Sequence, residues 1–370
     1  MPDLTYDVIS ADSHVIEPPA AWAERVPAEY RDRAPRLVHD ETTDRLVCED
    51  VSFPAVGLLA GCYRQDDEQR REGRWDEDVP VGSYDPEVRL ADLARDGVDA
   101  EVLFPTLGLG LYPIEDFDFQ WALLRGYNTW VAETFCQPHA DRFIGIAMLL
   151  HEDVDRAVAE LVRAKEIGLS GVMVPLEPGD DEPYWDERFD PLWAAAVEHQ
   201  MPVNLHLTTT RKKRATTAKM SSPGQILNFM NFGVQGVLVD LIHFGLFDRF
   251  PDLQVVSAEN DAGWAAYLME SQDFRWHRLN PLRREGEDSS VEEPSYYFHH
   301  NISTTFMRDH SAIVAKDIIG VDRMMWGNDF PHQTSTWPNS KAVLDELFHD
   351  QPQTVRDAIV RDNVRRLYQF

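Results

Sequence analysis

Cysteine is scarce in this chain, and basic residues are few beside the acidic ones. Its three cysteines, Cys48, Cys62 and Cys136, form no CxxC pair, and an odd number leaves one thiol outside any closed disulfide framework. That excludes the small disulfide-stapled folds and fits a reduced, cytoplasmic setting. Lys and Arg total 35 against 64 Asp and Glu, a formal net charge of −29. A binder of nucleic acid or of an anionic membrane would carry the opposite sign, so neither partner is expected. No run of 18 apolar residues occurs, which removes a membrane-spanning helix. The first residues, Met1-Pro2-Asp3-Leu4-Thr5-Tyr6-Asp7, lack both a basic region and an apolar run, so no signal peptide is visible. Neither GxGxxG nor GxxxxGK[ST] is present, and neither is GxSxG, which argues against a phosphate-cradling loop and a serine nucleophile elbow.

What is present is a large apolar supply: 43% hydrophobic residues, including 18 Phe, 10 Trp and 11 Tyr, enough for a substantial core. From residue 85 onward short apolar runs alternate with segments of helical spacing. Val88, Leu90 and Leu93 mark a helix over 86–96, stopped by Gly97. The strands expected are the opening one at Val8-Ile9, then 100–104, 143–148, 171–174 (ended by Pro175), 202–206, 253–259, 298–304 and 323–327, with helices between them. Alternating β and α units imply a parallel sheet, and eight of them imply an α/β chain folded as a (β/α)8 TIM barrel. A doubly wound open sheet would have fewer strands and a glycine-rich turn after the first. Residues 1–370 therefore read as one barrel domain. The irregular, charge-rich segment of about 17–84 reads as a first loop grown long.

In such a barrel chemistry sits where strands end. Asp12 and His14 stand at i and i+2 on strand one, spacing that puts both on one face. His206 ends strand five, and Asp329 follows strand eight. Two imidazoles and two carboxylates at one mouth suit a single Zn2+, Mn2+ or Fe2+ ion. Glu259 ends strand six and is placed to act as a general base or a fifth ligand. Asp329, Glu259 and His206 are the catalytic candidates. His299 and His300 are expected near the start of strand seven. His39, His139, His151, His199, His243, His277 and His349 fall away from the expected strand ends and read as surface or capping residues. Five of the 35 basic residues lie between 211 and 219, in the loop after strand five, where Arg211 is a candidate for an anionic substrate. Arg64 is a candidate carboxylate clamp, and Asn204, Thr305 and His332 are candidate pocket residues.

Taken in order, several stretches resemble the amidohydrolase-related (amidohydrolase 2) family. More narrowly they resemble the group that includes aminocarboxymuconate-semialdehyde decarboxylase and γ-resorcylate decarboxylase. They are Ala11-Asp12-Ser13-His14-Val15; Asp96-Gly97-Val98 leading into Phe104-Pro105-Thr106; Arg142-Phe143-Ile144-Gly145; Phe189-Asp190-Pro191-Leu192-Trp193; Pro202-Val203-Asn204-Leu205-His206; and Gly327-Asn328-Asp329-Phe330-Pro331-His332. The resemblance implies one divalent metal at the strand ends. Asp12 and His14 match the strand-one ligands and His206 the strand-five ligand. Asp329 matches the strand-eight aspartate, which doubles as acid or base. It also implies a homodimer, for which the aromatic helix of Trp264, Tyr267, Phe274 and Trp276 is a candidate face. Two positions depart from the pattern: Asp12 stands where many members have His, and Glu259 stands where the decarboxylases have a catalytic His. An ionised carboxylate only accepts hydrogen bonds. The residues therefore favour a metal-dependent hydrolase that turns activated water on a small cyclic or aromatic amide or lactone. The alternative is a non-oxidative decarboxylase of a small aromatic or unsaturated carboxylic acid, and a third is a barrel that binds a ligand without turnover.

Overall fold

Eight strands follow one another in parallel, each bonded to the next: β1 Ile9–Val15, β2 Ala100–Pro105, β3 Phe143–Met148, β4 Gly171–Glu177, β5 Val203–Thr210, β6 Val255–Ala258, β7 Ile302–Phe306 and β8 Met324–Trp326. The structure is a computed structural model. It describes residues 6–370 apart from 52, 60, 65–67, 212–222, 283 and 285–289, and the side chains of 223–230 are not described either. Every residue of β1, β2, β3, β6, β7 and β8 is buried, as expected of strands covered by side chains inside and helices outside. The ring closes just beyond β8. There the Asp329 amide donates to Asp12 O (2.9 Å) and the His14 amide to Phe330 O (2.6 Å). Ser13 Oγ also donates to Asn328 Oδ1 at 2.8 Å, while the Asn328 amide donates to Ser10 Oγ at 2.9 Å. Gly327 makes this closure possible, because a Cβ there would lie 2.5 Å from Asp12 Cβ.

Local signals place several elements. The helix Pro86–Asp96 begins at Asp85, whose carboxylate accepts from the amides of Glu87 and Val88, with Pro86 in its first turn. It ends at Gly97, which is left-handed at φ 74°.

Elsewhere the structure departs from the sequence-based expectation. The stretch 294–301 is a helix, Pro294–Asn301, and β7 begins only at Ile302, so His299 and His300 belong to a helix on the barrel's outside. The aromatic run Tyr296-Tyr297-Phe298 has strand propensity, but Pro294 sets the first turn, and Tyr297 and Phe298 are buried from a helical face. Strands β4 and β5 run on past Pro175 and His206, with those two residues in register with each other. The segment 17–84 is not devoid of regular structure: it holds an antiparallel hairpin, Arg36–His39 with Asp44–Val47, and short helices at Ala20–Ala23 and Trp75–Asp78. It folds back over the turn after β8, where Tyr63 lies against Trp337 (centroids 4.3 Å apart) and Phe330 (5.8 Å). Among the described residues no helix is long and apolar enough to cross a membrane.

Candidate metal centre

Strand β1 carries an extra residue between Ser10 and Ser13 relative to β2, a bulge that falls beside Asp12. Both Asp12 and His14 still point into the barrel mouth, with Asp12 Oδ1 3.6 Å from His14 Nε2. His206 Nε2 from β5 lies 3.6 Å from the same Asp12 oxygen. Asp329 Oδ1 approaches His14 Nε2 to 3.5 Å, and Glu259 Oε2 lies 3.4 Å from His206 Nε2 and 3.9 Å from His14 Nε2. Asp12, His14, His206 and Asp329 are buried.

The second nitrogen of each imidazole decides what the first can do. His14 Nδ1 lies 2.8 Å from Pro105 O and His206 Nδ1 2.8 Å from Leu207 O. A carbonyl only accepts, so each Nδ1 carries the hydrogen and each Nε2 presents a lone pair. Burial first, then the nearby His332 and His206, hold His14 well below the ordinary histidine range, which keeps it neutral as a ligand must be. Asp12 Oδ1, His14 Nε2 and His206 Nε2 are buried without a hydrogen-bond partner. Orphaned polar atoms cost about 1–3 kcal/mol each, so three aimed at one point call for a common partner. A divalent cation is the partner that accepts from two lone pairs and a carboxylate together, and the donor set fits one.

Supporting contacts fix these groups. Thr305 Oγ1 donates to Asp12 Oδ2 (2.9 Å) and accepts the Glu259 amide (2.8 Å). Asp329 is held at both oxygens, Oδ1 2.7 Å from His332 Nδ1 and Oδ2 accepting from Thr334 Oγ1 at 2.6 Å. Burial opposes a charge on His332, but Asp329 beside it outweighs that and raises its pKa. Glu259 and Asp329 both adopt left-handed backbone, φ 58° and 54°, unusual for such residues and typical of strained functional positions. Burial, then the charges of Asp329, Asp12 and Asp261, push the Glu259 carboxyl well above its usual range. A cation among these oxygens reverses that logic. The groups face a cavity of about 210 Å3 whose walls include Leu207, Phe306, Met307 and Asp261.

Three of the residues expected to bind substrate are engaged elsewhere. The Arg64 guanidinium is bonded to Asp78 and to Gly57 O within the insertion, so it holds that segment together. Asn204 lies deeper in the barrel, where its amide donates to Val172 O (2.9 Å) and Pro202 O (3.1 Å) and it accepts from Tyr368 OH (2.7 Å). Arg211 Nε sits 2.6 Å from Glu152 Oε1, and its Nη1 reaches Tyr112 O, so it braces neighbouring loops. The rest of the basic loop, 212–222, lies outside the described residues. Thr305 lines the cavity, and the His332 ring lies tilted at 38° against His14 with centroids 4.1 Å apart.

Some residues were not picked out from sequence. Thr106 Oγ1 lies 3.1 Å from His332 Nε2, and Glu17 accepts the amides of Thr106, Leu107 and Gly108. Thr106 directly follows β2, so the strand-end rule would have found it. Asp261 is pushed up to about 6 by burial and by Asp309. His151, read as peripheral, is fully buried just after β3.

The chain is thus a (β/α)8 barrel that brings Asp12 and His14 of its first strand, His206 of its fifth and Asp329 after its eighth to one mouth, a donor set that suits a divalent metal. The chain belongs to the amidohydrolase family, whose model matches residues 12–370. Among curated proteins it is similar to the decarboxylase orsB of Emericella nidulans, 27% identical over 231 residues, a match that spans 58% of this chain and 66% of that protein. Among solved structures it resembles the amidohydrolase map2389c of Mycobacterium avium subsp. paratuberculosis (TM-score 0.77, 20% identity, 99% of this chain and 100% of that one). It also resembles the 5-carboxyvanillate decarboxylase of Novosphingobium aromaticivorans, determined with bound manganese and 3-methoxy-4-hydroxy-5-nitrobenzoic acid (TM-score 0.72, 21% identity, 100% of this chain and 98% of that one).

Proposed function

We propose that this barrel is a metal-dependent, non-oxidative decarboxylase of a small aromatic carboxylic acid. This reverses the order drawn from the residues alone, which put hydrolysis first on the strength of Glu259. The similarity to decarboxylase orsB supports the change. In the site, the observation that carries the reading is the set of orphaned donors, Asp12 Oδ1, His14 Nε2 and His206 Nε2, converging beside Asp329.

A divalent ion held by Asp12, His14, His206 and Asp329 would supply a positive charge to bind and orient a substrate carboxylate. The reaction breaks the bond between ring carbon and carboxyl carbon, releases CO2, leaves the electron pair on the ring carbon and returns a proton there. Asp329 is the group placed to deliver that proton. Its oxygens are fixed by His332 and Thr334, and His332 continues to Thr106, so a proton on Asp329 has a bonded route leading away from the cavity. Phe306 and Met307 give the cavity an apolar wall suited to a planar ring.

Glu259 favours a second reading, hydrolysis of a small cyclic amide or lactone, because an acceptor-only carboxylate suits a base that takes a proton from water. One experiment separates the two. The Mn2+-loaded protein is incubated in 18O water with hydroxybenzoates, lactones and cyclic amides. CO2 release without 18O in the organic product is expected. Label in the product without CO2 would establish hydrolysis instead.

A further inference from the structure

We propose that Glu259 is itself a metal ligand, so that the centre is held by two imidazoles and three carboxylates. The inference rests on the metal-centre part of the proposed function and goes beyond it by giving the strand-six residue a binding role instead of an acid–base one.

The geometry around His206 and His14 carries it. Two carboxylate oxygens flank the two Nε2 atoms: Asp12 Oδ1 at 3.6 Å from each, and Glu259 Oε2 at 3.4 and 3.9 Å. Bonds of about 2.0–2.2 Å to one ion set neighbouring donors about 3.0–3.6 Å apart, so three of these four separations match and the fourth is slightly long. The hydrogens are in the wrong place for a simpler account. Both Nδ1 atoms donate to backbone carbonyls, so both Nε2 atoms face Glu259 with lone pairs. An ionised Glu259 oxygen opposite these nitrogen lone pairs is repulsive unless a cation lies between them. Among the described residues no Lys or Arg forms an ion pair with Asp12, Glu259 or Asp329.

The backbone is built to hold this position. Glu259 is left-handed, at φ 58°, immediately past the end of β6. Its amide donates to Thr305 Oγ1, and that same hydroxyl donates to Asp12 Oδ2. One side chain on β7 therefore fixes the backbone of Glu259 and turns the free Asp12 oxygen inward. Asp261, two residues on, lines the same cavity but makes no such approach to the imidazoles, and it supplies an internal control.

The test is binding of Mn2+ alone to the metal-stripped full chain, by competition with a fluorescent chelator, with electron paramagnetic resonance of the bound ion. Glu259→Gln is expected to weaken Mn2+ at least tenfold and to alter the resonance. Asp261→Asn is expected to change affinity less than threefold and leave the resonance as it was. Thermal melting guards against misfolding. The metal-free Glu259→Gln variant should melt no lower than wild type, because one of three clustered carboxylates is gone, whereas its gain in melting temperature on adding Mn2+ should shrink. Equal Mn2+ affinity for wild type and Glu259→Gln, or an equal loss in Asp261→Asn, overturns the ligand role. Wild type that fails to bind Mn2+ at all overturns the metal centre beneath it, a different and separable result.

Discussion

Two histidine–carboxylate clusters lie in loops and strand ends of this barrel, and they differ in one component. In the first, the lone pairs of His14 and His206 face Asp12 and Glu259. In the second, His151 donates from Nε2 to Glu182 O (3.3 Å), and its Nδ1 faces Glu152 Oε2 at 3.6 Å. Asp12, His14 and His206 in the first, and His151, Glu152 and Glu182 in the second, bring potential ligand atoms within 4.8 Å of one another. The second, however, already contains its cation: Arg211 Nε is 2.6 Å from Glu152 Oε1. Around the first, among the described residues, no Lys or Arg pairs with Asp12, Glu259 or Asp329: Arg89 reaches His14 O but is paired with Glu101, and Asp329 is bonded to His332. A census of His, Asp and Glu treats the clusters alike. The charge that accompanies them does not, and it marks the first as a place for a metal and the second as a structural brace.

The largest expected effect breaks the first cluster. His206→Ala or Asp12→Ala should weaken Mn2+ more than 100-fold in chelator competition and abolish turnover, whereas Glu152→Gln should leave Mn2+ affinity within about twofold. Next comes the brace. Arg211→Met leaves a largely buried carboxylate without its partner and should cost about 1–3 kcal/mol in denaturant unfolding, with Mn2+ affinity unchanged.

A pH experiment sharpens the contrast further. Burial lowers the His151 pKa to about 4 against an ordinary 6.5, with Glu152 acting in the opposite direction. The unfolded chain therefore takes up a proton at this residue before the folded one does. Its contribution is complete above pH 6.5 and is lost as pH falls from 6.5 to 4, up to about 3 kcal/mol. Stability of the metal-free protein should fall across that window, and His151→Asn should flatten the fall. The smallest effect is expected on the outer helix Trp264–Leu279, where Tyr267 and Phe274 are 70% and 67% exposed. Serine at both should shift unfolding by less than about 0.5 kcal/mol. If that face joins two copies, as the family resemblance implies, light scattering will report a lower mass for the variant.

The uneven legibility of the sequence follows from what is local and what is not. The helix Pro86–Asp96 carries its own cap, its first-turn proline and its stop glycine within a dozen residues. The Asp12, His14, His206 and Asp329 positions follow from counting strands, because barrel topology sends every strand's end to one face. The failures needed a partner distant in sequence. Arg64 and Arg211 look like free cations until Asp78 and Glu152 meet them. His151 looks peripheral until the turn after β3 buries it. Tyr296-Tyr297-Phe298 looks like a strand because its burial comes from neighbouring helices, and helical packing overrides its propensity. The role of Glu259 is of the same kind, since its oxygen faces imidazoles from two other strands.

The most direct test is a crystal grown with Mn2+ and measured for anomalous scattering at the manganese edge. The account predicts one strong peak within about 2.0–2.4 Å of Asp12 Oδ1, His14 Nε2 and His206 Nε2, and none between His151 and Glu152. A peak at His151 with none at His14 would contradict it.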